Sequence, residues 1–178
     1  RDLIARTFPD QFFDMDARMD QPGGFYRGNA ANERRWKTES GKAEFTTPTV
    51  LNACGIGAAP GRYHLVTLRS NDQFNTTIYG HDDRLRGLKG SRLIVLMSPA
   101  EIQRAGLEPG QKVTLVTDAG DDVHRAVKDL QVTPYDLPDG TLVGYFPELN
   151  PLMPLWYHDE ASKTPAAKGI PVRIERQA

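Results

Sequence analysis

Beyond residue 61 the apolar positions of the chain fall into short, separated runs. Tyr63 to Leu68 and Arg92 to Met97 are dense in aliphatic and β-branched residues, too short for helices and bounded by turn residues, so each predicts a buried strand. Lys112 to Thr117 sets Val113 and Leu115 between polar neighbours, as a half-buried strand does. Val123 to Val132 alternates as well, but the alternation slips near Val127, which predicts a β-bulge. Thr141 to Phe146 follows the turn Pro138-Asp139-Gly140, and Val172 to Ile174 supplies a closing strand. Between the second and third runs, Ser98-Pro99-Ala100-Glu101 is a capping box with proline at the first helical position. Gly106 sits where a left-handed residue ends a helix, so that helix has only about two turns.

The first 60 residues follow no sustained period. Aromatic and charged residues are mixed, as in Phe8-Pro9-Asp10-Gln11-Phe12-Phe13, and the stretch ends in the Gly/Ala/Pro-rich segment around Cys54. We therefore divide the chain into an irregular segment or linker, residues 1–60, and a barrel domain, residues 61–178. Within the first part, Trp36 to Phe45 reads as a small hairpin turning at Ser40-Gly41, followed by a linker containing Pro48. Six or so short strands with one or two small helices imply a mainly β fold, closed as a six-stranded barrel, because closure removes the edges that such strands would expose.

Composition narrows the partners. The 178 residues include 22 Lys and Arg against 23 Asp and Glu, and the resulting charge of −1 offers no basic excess for a phosphate backbone; nucleic acid is not an expected partner. The longest aliphatic run, Leu93 to Met97, falls far short of the roughly 18 to 20 residues of a membrane helix, so no membrane span is expected. The single cysteine, Cys54, cannot form an internal disulfide or a cysteine-pair metal site, which fits a reducing, cytoplasmic compartment. With no initiating methionine and no leader, the sequence reads as a fragment.

No catalytic constellation stands out. The four histidines, His64, His81, His124 and His158, are widely separated, and no metal site is expected. Asp82-Asp83, followed by Arg84 and Arg86, reads as a solvated, self-neutralising loop. The densest polar stretch is Thr67 to Thr77, directly after a strand, with Thr67 and Arg69 on one face by period two. Hydroxyls, amides and a guanidinium in one loop can grip a phosphate-bearing, hydrogen-bond-rich ligand, since Arg forks onto phosphate and Asn or Gln presents donor and acceptor together. A loop that caps its own turns is the equal alternative. A second polar set, Tyr145 to Leu152 and Ser162 to Val172, pins Asn150 and Lys168 between prolines.

These pieces resemble the C-terminal dinucleotide-binding domain of the molybdopterin oxidoreductases, the family of formate dehydrogenases, periplasmic-type nitrate reductases and dimethyl sulfoxide reductases. The resemblance rests on Leu65 to Arg69 with Gln73 and Asn75, on Leu107 to Val113, and on Phe146 to Asn150 followed by Lys168 and Val172 to Ile174. Thr67 to Tyr79, with Asn75 to Gly80, most resembles the formate dehydrogenase alpha-subunit-like branch. The resemblance implies a double-psi β-barrel holding one half of a bis(molybdopterin guanine dinucleotide) with molybdenum or tungsten. It also implies that Thr67, Arg69, Ser70, Gln73, Asn75, Thr76, Asn150 and Lys168 contact that cofactor. The metal-ligating residue and any iron–sulfur cysteines of the family lie upstream, so this fragment alone is expected to be inactive. The remaining domains of the parent chain and an electron-transfer subunit are the implied partners. A double-psi barrel adaptor or substrate-recognition module without pterin is the alternative reading.

Overall fold

The computed structural model describes residues 1–45, 47, 59–75, 78–160 and 162–176; Pro48, Cys54 and Thr76 lie outside the described residues. The chain divides into two compact units, Arg1–Thr49 and Val50–Ala178. In the first, three helices, α1 (Asp2–Thr7), α2 (Pro9–Phe12) and α3 (Met15–Met19), bury none of their residues. Each is too short to show the 3.6-residue period in sequence, and helices of this length are marginal without tertiary packing. The Arg18 guanidinium lies 4.2 Å from the Phe13 ring centroid and 3.9 Å from that of Phe25, and Phe12 packs edge-on against Phe25. The Ser40-Gly41 turn forms, with the Gly41 N–H donating to the Thr38 carbonyl at 3.1 Å, but the flanking described residues do not pair as strands.

The second unit contains a closed six-stranded barrel. Its strands are β1 (Arg62–Leu68), β4 (Ile94–Met97), β5 (Lys112–Thr117), β6 (Ala126–Pro134), β7 (Thr141–Tyr145) and β8 (Ile170–Arg176), in the spatial order β1-β7-β4-β6-β5-β8, with β8 returning to β1. Two pairs are parallel, β1 with β7 and β4 with β6, and the other four antiparallel. Alternation along β1 turns Tyr63, Leu65 and Thr67 inward. β4 is apolar throughout because both its faces are covered. Val95 and Met97 point into the barrel core with Leu65, Leu115 and Leu142, while Ile94 and Leu96 pack outside with Val143, Tyr145, Tyr135 and Leu137.

The expected bulge is present. Val113 pairs with Leu130 but Leu115 with Val127, so β6 carries one extra residue there, and Asp129 takes a φ of 61°. The capped helix is α4 (Pro99–Arg104): the Ser98 hydroxyl accepts from the Glu101 N–H at 3.2 Å, and Gly106 has a φ of 60°. One feature escapes the sequence pattern, a two-stranded ribbon of β2 (Asp82–Asp83) and β3 (Leu88–Lys89). It corrects the expectation of a solvated acidic loop. Asp83 is 3% exposed, accepting from the Tyr145 hydroxyl at 2.7 Å, Arg86 at 2.7 Å and the Asn71 N–H at 3.3 Å. The ribbon folds Asp83 inward, and one carboxylate with three donors is no longer a solvent group. No helix among the described residues is long and apolar enough to cross a membrane.

Candidate dinucleotide site

Strand register fixes which side chains share a barrel end. β7 runs parallel to β1, and β8 antiparallel to it, so the residues after Leu68, those after Tyr145 and those before Ile170 emerge together. β4 runs antiparallel to β7 and is entered from the same end, which brings Arg92 there.

Arg92 is the hub. Its Nε and Nη2 fork onto the Glu148 carboxylate at 2.6 and 3.1 Å, Nη1 donates to the Ser70 hydroxyl at 2.7 Å, and Nη2 also reaches Gln73 Oε1 at 3.0 Å and the Phe146 carbonyl at 2.7 Å. The guanidinium lies between two rings, 3.7 Å from the Tyr79 centroid and 4.3 Å from that of Tyr145. Tyr79 donates to Glu148 at 2.8 Å. Gln73 completes the weave: Nε2 donates to the Phe146 carbonyl at 2.8 Å, and Oε1 accepts from the Ser70 N–H at 3.1 Å. A bidentate, charge-assisted pair at 6% exposure of Arg92 holds the loop after β1 to the loop after β7. Leu149 anchors the second loop in the core, and Gly144 makes room for it: a Cβ there would stand 2.2 Å from Leu149 Cδ1.

The ionisation of these groups follows from the same contacts. Burial pushes the Glu148 carboxyl up, but the hydrogen bonds from Arg92 and Tyr79 prevail and hold it below the ordinary carboxylate range. Asp83 is likewise lowered, burial being outweighed by the bonds from Tyr145, Arg86 and the Asn71 N–H. Tyr145 is raised, by burial first and then by its bond to Asp83. Lys168 is lowered, by burial first and then by the like charge of Arg69.

The eight sequence-derived positions divide by what their side chains do. Thr67 donates to the Ala167 carbonyl at 3.2 Å, and Ser70 and Gln73 are committed to each other and to Arg92. Arg69, Asn75, Asn150 and Lys168 are exposed. Arg69 stands 5.8 Å from the Phe146 ring centroid, and the Lys168 ammonium donates to the Thr67 carbonyl. Thr76 lies outside the described residues. Sequence reasoning missed Arg92, Glu148 and Tyr79. The signal for Arg92 was a lone charge opening an otherwise apolar strand; its partner Glu148 lies 56 residues away, beyond any local pattern.

Two exposed cations at one barrel end, Arg69 and Lys168, with exposed amides on neighbouring loops, make a donor set suited to a pyrophosphate-linked heterocycle. The residues present fit a dinucleotide, and the side chains of Thr67, Ser70 and Gln73 serve by fixing the loops.

Comparison with known proteins gives the same direction. Residues 63–171 match the family model of the molydopterin dinucleotide binding domain. Protein YdeP of Escherichia coli is 42% identical over 177 residues, covering 98% of this chain and 23% of its own length. The uncharacterized oxidoreductase Rv2900c of Mycobacterium tuberculosis is 40% identical over 183 residues, covering all of this chain and 23% of its own length. The chain thus spans about a quarter of the length of the curated relatives it matches. With the matched span running from the second residue of β1 to the second of β8, this chain belongs to the molydopterin dinucleotide binding domain family.

Proposed function

We propose that residues 61–178 are the cofactor-binding barrel of a molybdenum or tungsten oxidoreductase and hold one half of a bis(molybdopterin guanine dinucleotide). Residues 1–60 then belong to the preceding part of the parent protein. The observation that carries this reading is the exposed pair Arg69 and Lys168 at the end of β1, beside loops that Arg92 locks together. The name of the mycobacterial relative, an oxidoreductase, supports the reaction class. When bound, the metal–pterin group supplies two-electron redox chemistry.

The chain's own residues bind and orient. Arg69 and Lys168 neutralise the pyrophosphate, and the Asn75 and Asn150 amides meet the heterocycle. Thr67, Ser70 and Gln73 hold the loop backbones in place, and Thr76 joins them on the strength of the family resemblance. The finer reading is a formate dehydrogenase-like enzyme in the cytoplasm, completed by the remaining parent domains, an upstream iron–sulfur cluster and an electron-transfer subunit.

Metal and pterin analysis of the full-length protein, purified from its native source, tests the proposal. One molybdenum or tungsten with two pterins per chain is the expected result. Neither metal nor pterin, in protein from a cell that makes the cofactor, favours an adaptor barrel without pterin. Formate-dependent reduction of a dye by the loaded enzyme checks the substrate separately.

A further inference from the structure

The opposite end of the barrel, where β1 and β7 begin and β8 ends, opens into a cavity of about 520 Å³. Tyr63 lines it at 6% exposure, and its hydroxyl has no hydrogen-bond partner among the described residues. Among the described residues no buried side-chain oxygen or nitrogen lacks a partner, so the Tyr63 hydroxyl, bonded to nothing described, opens onto the cavity. Burial raises the Tyr63 pKa, so the phenol stays neutral and can donate.

Three arginines line the same cavity and are not equivalent. Arg62 is paired with Asp118 at 2.8 Å, and Arg104 with both Glu101 and Asp139. Arg176 makes no ion pair among the described residues. It is held in place by donating Nη2 to the Ala105 carbonyl at 2.6 Å, across Gly106, where a Cβ would come within 2.6 Å of that nitrogen. The wall between is apolar, formed by Leu107 and Ile174.

An exposed guanidinium with no ion pair among the described residues, a neutral phenol bonded to none of them and an apolar wall, beside the Glu101 and Asp139 carboxylates that Arg104 takes up, define a ligand. We propose that this cavity binds a small organic carboxylate carrying a second hydrogen-bond acceptor, its anionic group on Arg176, its body on Leu107 and Ile174, and its acceptor on Tyr63. The site stands apart from the dinucleotide end, and the proposal does not depend on that reading.

The test is equilibrium titration of the full-length protein with 4-hydroxybenzoate, and with 4-hydroxybenzyl alcohol as the uncharged analogue. The carboxylate is expected to bind with a submillimolar Kd and the alcohol about tenfold or more weakly. Arg176→Met should weaken the carboxylate about tenfold or more, the range of a charge-assisted hydrogen bond. Tyr63→Phe should weaken it about three- to tenfold, as loss of a neutral one does. Both variants keep the bulk of the side chain, and an unchanged Tm confirms that they fold. No binding at millimolar 4-hydroxybenzoate, equal affinity for the alcohol, or binding unchanged in Arg176→Met would overturn the proposal.

Discussion

Tyr145 and Tyr63 are both buried on barrel strands, yet their hydroxyls lead opposite lives. At the dinucleotide end, Tyr145 donates to Asp83 and stacks on Arg92, inside a network of charge-assisted hydrogen bonds. At the far end, Tyr63 borders a cavity and its hydroxyl is bonded to nothing described. The same barrel therefore has one end whose loops are pinned by polar contacts from within and one end left open. A site that presents cations and amides to a long ligand needs fixed loops, and the hydrogen bonds of Gln73 to Phe146 and Ser70 fix them.

The largest expected effect is at the hub. Arg92→Met strands Glu148 without its fork and frees both loops, and removal of one partner of a buried pair typically costs about 3–5 kcal/mol. Chemical denaturation of the full-length protein should show a loss of that order, and a loss under about 1 kcal/mol would mean the loops are held by their backbones alone. Next comes Tyr145→Phe, which leaves the buried Asp83 one donor short and should cost about 1–3 kcal/mol.

Acid should loosen the same end more gently. Glu148 and Asp83 both have lowered pKa values in the folded protein, so their stabilisation is complete above the ordinary carboxylate value and is lost as pH falls through their folded values. Stability measured from about pH 5 down to about pH 3 should decline, and decline less steeply in Glu148→Gln. The smallest effect is reserved for Tyr63→Phe, which removes a hydroxyl with no described partner and should leave stability within about 0.5 kcal/mol. Equal costs for the two tyrosine variants would erase the distinction between the ends.

What the sequence made legible was local. The short apolar runs, the Ser98 capping box and the slip near Val127 each depend on neighbours in the chain, and each appears where expected. The polar character of the loop after β1 was legible too, but not the division of labour inside it. Ser70 and Gln73 look as available as Asn75 until Arg92, 22 and 19 residues away, takes up their hydrogen bonds. Asp83 looked solvated because Arg84 and Arg86 follow it directly, and only the ribbon of β2 and β3 shows that Tyr145, 62 residues on, is its partner. The helices of the first unit left no trace because four to six residues cannot display a 3.6-residue period.

The central claim is that Arg69 and Lys168 form the anion-holding pair of the dinucleotide end. Its most direct test is the pterin and metal content of the full-length protein carrying Arg69→Met with Lys168→Met, beside an Arg176→Met control at the other end. The account predicts a fall in cofactor content of about tenfold or more in the double variant, from the loss of two charge-assisted contacts, with wild-type content in the control. Wild-type content in the double variant, at unchanged Tm, would contradict it.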